Sequence, residues 1–303
     1  MKLAIINYPS ALKSAIYGLE ELFEMANTLH NEQHYFCCES VCHLQLDNSQ
    51  RFDLVILPPA LNGDYYLDPS KELIMWLKAQ EQQHAVLCSV CSGAFILAHG
   101  GFLNNKTVTT HWALAAKFQH MFPAIELDSN KILINEGNVM TAGGVMSWLD
   151  LGLEIVARYL GPAVMTQLGK NLVVDTGQRA QSYYQQFHPL KNHGDQAIAD
   201  VQDYLDAHYS DKILMGALAK RCHTGERSFL RRFQKATDLK PSEYIQKLRI
   251  QKACDLLERS NHSFDLIASQ VGYEDSNACR RIFVRIMGLT PKQFRQRFVR
   301  CKT

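Results

Sequence analysis

No stretch of this 303-residue sequence approaches the roughly eighteen consecutive apolar residues that a membrane-spanning helix needs, so no membrane partner is implied. The opening residues, MKLAIINYPS, lack the longer apolar core and small-residue cleavage site of a secretory leader, because Pro9 cuts the apolar run short. Twelve histidines and nine cysteines are present, yet they form no C-x2-C followed by an H-x3-H as a zinc site would space them, and metal binding is left without support. The cysteines are odd in number and scattered, and Cys37, Cys88, Cys222, Cys254 and Cys279 sit in apolar patterns. That usage fits reduced thiols in a cytoplasm rather than a disulfide framework. Cys88 and Cys91 form a C-x-x-C, but Cys88 lies within the apolar run AVLCSV and reads as a strand interior, not half of a redox pair.

Overall charge is near neutral, +2, with 47% hydrophobic and 20% charged residues, enough for two cored domains. The distribution is uneven. From Asp211 onward there are 20 Lys and Arg against 9 Asp and Glu, a balance of +11; residues 1–210 hold 12 against 21, or −9. A basic tail on an acidic body points to a polyanion partner for the tail.

The tail also repeats itself. Ala219, Cys222, Phe233, Leu239, Pro241 and Tyr244 stand where Ala268, Val271, Phe283, Leu289, Pro291 and Phe294 recur, one inserted residue apart. In each copy a short apolar helix, over 213–222 and 264–271, leads through a tight turn, which in the second copy contains Gly272, to a second helix. Thr224 is the expected N-cap of the first such helix and Asp275 or Ser276 of the second. Phe229 with Phe233 and Cys279 with Phe283 mark the buried faces. Arg227 and Arg231, and Asn277, Arg280 and Arg281, are assigned to the opposite faces, with Pro241 and Pro291 as helix stops. Arg can donate two hydrogen bonds to guanine and Asn can pair with adenine, so these faces suit base reading in double-stranded DNA. Residues 195–303 resemble the AraC-type DNA-binding domain through this repeat, the run VGYEDSNACRRIFVRIMGLTPKQFR and the joining segment YIQKLRIQKACDLL. The resemblance implies two recognition helices in successive major grooves, roughly 34 Å apart.

The first two thirds alternate strand and helix. Apolar runs over 3–7, 53–57 and 85–90 read as buried strands, separated by helical patterns over 18–29 and 69–80. The expected fold is α/β, a doubly wound parallel sheet covered on both faces, followed by an all-α domain. Ligands in such sheets bind at the carboxyl ends of strands, where Pro58, Pro59, Asn62 and Gly63 follow one strand and Cys91 and Ser92 another. AVLCSVCSGAFILAHG reads as strand, abrupt turn and helix, with Cys91 at a nucleophile elbow. Free N–H groups and the helix dipole there would favour thiolate.

Residues 1–175 resemble the ThiJ/PfpI branch of the class I glutamine amidotransferase-like superfamily, flavodoxin-like in fold, in the version fused to AraC-type domains and called GlxA-like. Cys91 matches that superfamily's elbow cysteine and His111, in TTHW, a histidine that some relatives hold near it. Ser92 stands where PfpI-type proteases carry His, and 9–15 contains no acid to serve the thiol. The expectation is therefore a sensor or dimerisation domain with no catalytic residue, its pocket bounded by Cys91, Ser92, His111, Pro58, Pro59, Asn62 and Gly63. The resemblance suggests an amino acid or quaternary amine as effector and implies no cofactor. A cysteine-dependent hydrolase, amidase or glyoxalase carrying a DNA-binding tail is the alternative. The polar, Gln-rich stretch 176–196 reads as a linker, so that 197–303 forms the DNA-binding domain. The apolar helix over 144–172 closes the core or supplies a face for the homodimer that two-fold operators favour.

Overall fold

A computed structural model describes residues 1–30, 35–177, 179–189 and 191–299 of the chain. It divides into two compact units, Met1–Ser182 and Tyr183–Thr303. No helix among the described residues is long and apolar enough to cross a membrane.

The first unit is organised by β1 (Lys2–Asn7), β2 (Cys37–Cys42), β3 (Leu54–Leu57), β4 (Val86–Val90), β5 (Thr107–Val108), β6 (Glu126–Leu127), β7 (Leu133–Asn135) and β8 (Val139–Ala142). Six of these form one sheet in the order β2-β1-β3-β4-β8-β7, and β5 pairs with β6 separately. Pairing is parallel from β2 to β8, with Leu54 opposite Val86 and Cys88 opposite Met140. The edge strand β7 departs from the all-parallel sheet expected and runs antiparallel to β8. Only residues 136–138 join the two strands, too few for the crossover that a parallel pairing requires.

Both faces are covered. Leu3 and Ile5 of β1 point into one core and Ala4 and Ile6 into the other, as strand alternation dictates. The first core is closed by α1 (Lys13–Leu29), the second by α2 (Lys71–Gln82), α3 (Gly93–Gly100) and α4 (Ala115–Met121). α1 begins ahead of the expected 18–29 because Ala15 and Ile16 already lie on its buried face. The stretch read as one helix over 144–172 is two, α5 (Trp148–Leu160) and α6 (Pro162–Leu172); Pro162, lacking an N–H, begins the second. Leu151, Ile155, Val156 and Leu168 of the pair fill the first core.

The stretch expected to be a linker is divided between the units, residues 178 and 190 lying outside the described ones. Arg179 grips Asp150 with Nη2 at 2.8 and 2.6 Å from its two oxygens, and Ala180 bridges to Lys131. Gln181 is 2% exposed, and its amide donates to Thr109 Oγ1 at 3.0 Å, Thr110 O at 2.9 Å and Lys131 O at 2.8 Å. Within the second unit, the Phe187 N–H donates to Gln251 Oε1 at 2.9 Å.

The second unit contains α7 (Gln196–His208), α8 (Met215–Arg221), α9 (Glu226–Thr237), α10 (Pro241–Arg259), α11 (Phe264–Gln270), α12 (Ser276–Met287) and α13 (Pro291–Phe298). Pro241 and Pro291 open α10 and α13 rather than stopping the helices before them. Those helices end earlier, at the left-handed residues Asp238 (φ 56°) and Gly288 (φ 71°). Two cores result: Leu205, Leu218, Phe229, Phe233 and Tyr244 form one, and Ala253, Leu257, Ile267, Cys279, Phe283 and Phe294 the other.

Candidate nucleic-acid interface and elbow site

α8 and α9 form the first helix-turn-helix. His223 takes a left-handed conformation (φ 50°) and the Thr224 N–H donates back to Ala219 O at 3.1 Å. Thr224 is thereby still part of the turn, and the N-cap is Gly225, not the threonine expected from its side chain. In the second motif the sequence reading holds: Asp275 Oδ1 caps α12 by accepting the Asn277 N–H at 2.8 Å, and Ser276 is the first helical residue.

Phe229 and Phe233 turn inward on α9, Cys279 and Phe283 on α12. The outward sides, about half a helical turn away, carry exposed Arg227 and Arg231 and exposed Asn277 and Arg281. Arg227 and Arg231 enter no ion pair among the described residues, and Arg281 is 74% exposed with only a 4.0 Å approach to Asp275. Arg280 differs from its neighbour. Its Nη2 lies 3.6 Å from Asp265 and its guanidinium 5.0 Å over the Phe264 ring, so it leans on α11. The sequence assigned Arg280 to the outer face, whereas it occupies the flank between that face and the buried one. Lys235 and Arg285, missed in the sequence, are exposed four residues beyond Arg231 and Arg281, the spacing that keeps a helix face continuous. Arg285 also donates to Gln246 Oε1 at 2.7 Å.

In the first unit Cys91 joins β4 to α3 with φ 55°, the strained turn of an elbow. Gly93 follows because a Cβ there would meet Leu57 O at 2.6 Å. The Cys91 N–H donates to Ala142 O at 2.8 Å, and its carbonyl accepts the Thr110 hydroxyl at 2.7 Å. The thiol does not have the thiolate character expected of it. Cys91 is 3% exposed, and burial pushes its pKa up to about 12, outweighing the stabilising Ser92 N–H.

A chain of hydrogen bonds fixes the neighbouring loop. The Ala60 N–H donates to Ser92 Oγ at 2.8 Å, the Ser92 hydroxyl bonds to Tyr8, and the Tyr8 hydroxyl donates to Pro58 O. Burial holds the Tyr8 phenol well above its ordinary pKa. Leu12 N–H to Pro59 O, at 2.7 Å, ties the loop down from the other side. The structure thus assembles Cys91, Ser92, Pro58 and Pro59, while Asn62 and Gly63 stand on an exposed tip. Tyr8, unforeseen, completes the set; its place at the carboxyl end of β1 was the available signal. His111 is half-buried, which lowers its pKa, and its Nδ1 accepts the Ala113 N–H at 3.0 Å. Thr110 rather than His111 makes the hydrogen bond to Cys91.

Residues 34–158 match the DJ-1/PfpI family, and residues 218–297 match the helix-turn-helix domain family. The HTH-type transcriptional regulator GbdR of Pseudomonas aeruginosa is 24% identical over 253 residues, 82% of this chain and 68% of that protein. The HTH-type transcriptional regulator CdhR of the same species is 24% identical over 225 residues, 74% of this chain and 66% of that one. Among solved structures, an AraC family transcriptional regulator from Pseudomonas putida shares the fold with a TM-score of 0.50 at 15% identity, over 56% of this chain and 98% of that one. On a single polypeptide the chain thus carries a domain of the DJ-1/PfpI family ahead of an AraC-type helix-turn-helix domain, and it is similar across both to HTH-type transcriptional regulators.

Proposed function

We propose that the chain reads specific DNA sequences through α9 and α12 and that its first unit binds a small-molecule effector without turning it over. The observation that carries this reading is the pair of outward faces, Arg227, Arg231 and Lys235 on one helix and Asn277, Arg281 and Arg285 on the other. Each projects from a two-helix motif whose opposite side is packed with aromatic and apolar residues. Arg and Asn on such faces recognise guanine and adenine edges. Thr224 and Ser276, near the starts of the two helices, are included in the proposed DNA contact, where hydroxyls serve phosphate oxygens.

In the first unit, a buried and protonated Cys91 followed by Ser92 favours binding over turnover. Among the described residues no cation acts on the thiol, and the Ser92 hydroxyl and Tyr8 are engaged with the loop at 58–60. The proposed effector site is bounded by these residues, His111, Pro58, Pro59, Asn62 and Gly63. An amino acid or quaternary amine is the class proposed. A homodimer is proposed from the two-fold symmetry of operators, and a cytoplasmic setting from the free cysteines.

The test is a salt titration of duplex binding by the full chain, joined to assays of amidase, protease and glyoxalase activity. Affinity is expected to fall steeply with salt as Lys and Arg displace condensed counterions. Absence of any duplex binding at low salt overturns the DNA reading. Turnover that disappears in Cys91→Ala overturns the sensor reading and establishes the cysteine-enzyme alternative.

A further inference from the structure

α10 packs into the cores of both helix-turn-helix motifs: Tyr244 and Leu248 contribute to the first core, Ile250 and Ala253 to the second. Arg249 lies at the changeover. Its guanidinium donates through Nε to Tyr209 O at 2.7 Å, through Nη2 to Asp211 O at 2.8 Å and through Nη1 to Gly272 O at 2.9 Å. The first two carbonyls stand between α7 and α8, just before the first motif. The third stands in the turn between α11 and α12, inside the second.

The backbones it joins are in close contact. Gly272 has φ 85°, and a Cβ on it would meet Ser210 O at 2.4 Å and Arg249 Nη2 at 2.9 Å. The Tyr273 ring lies 5.4 Å from the guanidinium. A planar guanidinium donates in fixed directions, so three carbonyls drawn from two segments are held in distance and in angle. Gly272 lies three residues before the Asp275 cap, so the place where α12 begins is tied through Arg249 to the segment that leads into α8 and α9.

We infer that Arg249 is a positioning residue that fixes α12 relative to α9, and thereby selects the separation of the two sequence elements the chain reads. The inference rests on α9 and α12 being the DNA-reading helices. Lys at this position keeps the charge but offers a point donor in place of a fork. Gly272→Ala strains the same joint from the other side and leaves the charge in place.

The full chain and both variants, Arg249→Lys and Gly272→Ala, are used to select from a randomised duplex pool. Helix content is followed by circular dichroism, so that Gly272→Ala carries the test if Arg249→Lys does not fold. The parent is expected to recover two elements at a single separation. The variants are expected to recover the same elements at separations spread over neighbouring values. They should bind the parent's preferred duplex about tenfold more weakly, yet a duplex with one element scrambled within about twofold of the parent. A single, unchanged separation in the folded variants overturns the inference. So does an equal loss on the one-element duplex, which would show a merely structural role. A parent that recovers no paired elements overturns the two-helix reading itself and the inference with it.

Discussion

The carbonyl of Cys91 accepts a hydrogen bond from the Thr110 hydroxyl at 2.7 Å. The Thr110 carbonyl accepts in turn from the buried amide of Gln181 at 2.9 Å, so two hydrogen bonds carry the elbow to the segment that closes the first unit at Ser182.

Gln181→Ala should therefore destabilise the first unit. It leaves the carbonyls of Thr110 and Lys131 and the N–H of Trp112 without the amide that served them, at a cost of about 1–3 kcal/mol for a group left truly unsatisfied. All three tryptophans, Trp76, Trp112 and Trp148, lie in this unit, so urea unfolding followed by tryptophan fluorescence isolates it. An unchanged midpoint would remove Gln181 from its place in the network.

The Cys91 thiol gives the first unit a defined alkaline sensitivity. Its pKa rises from 9.0 to about 12 on folding, so the folded state holds the proton more tightly. The associated stability is complete below pH 9 and is lost as pH climbs toward 12. Cys91→Ala should flatten the fall in fluorescence-detected stability across that window; an unaltered slope would show that the thiol is accessible to water.

Arg280 and Arg281 are adjacent, yet their loss should be felt differently. Arg281→Ala is expected to cost about 1–3 kcal/mol at a preferred DNA site and to relax base preference there. Arg280→Ala should leave that preference in place and weaken the second unit by about 0.5–1 kcal/mol, through the contact with Phe264. Quantitative selection on both variants, with circular dichroism melts, checks the division. Equal loss of base preference would return Arg280 to the DNA-reading face.

The two helix starts give a parallel contrast. Asp275→Ala should lower the melting of the second unit by an amount equivalent to about 1 kcal/mol, because its side chain caps α12. Thr224→Ala should cost little, since Gly225 occupies the N-cap of α9. A large loss at Thr224 would place a second, capping role on its hydroxyl.

The sequence by itself determined whatever depends on neighbours a few residues apart. The apolar runs LVIL and VLCSV made central strands, Phe229 with Phe233 and Cys279 with Phe283 marked the inner faces of α9 and α12, and Asp275 stood where a cap was needed. The elbow at Cys91 was legible because strand, tight turn and small residues follow one another directly. Tertiary structure alone decided the rest. Cys91 stays protonated because β8 and the Thr110 segment bury it, Arg280 turns from the outer face because Asp265 and Phe264 come from another helix, and Gln181 finds its partners 50 to 72 residues away. Backbone propensity and periodicity act within a turn or two of chain, whereas burial and hydrogen-bond partnership depend on which distant segments the folded chain brings together.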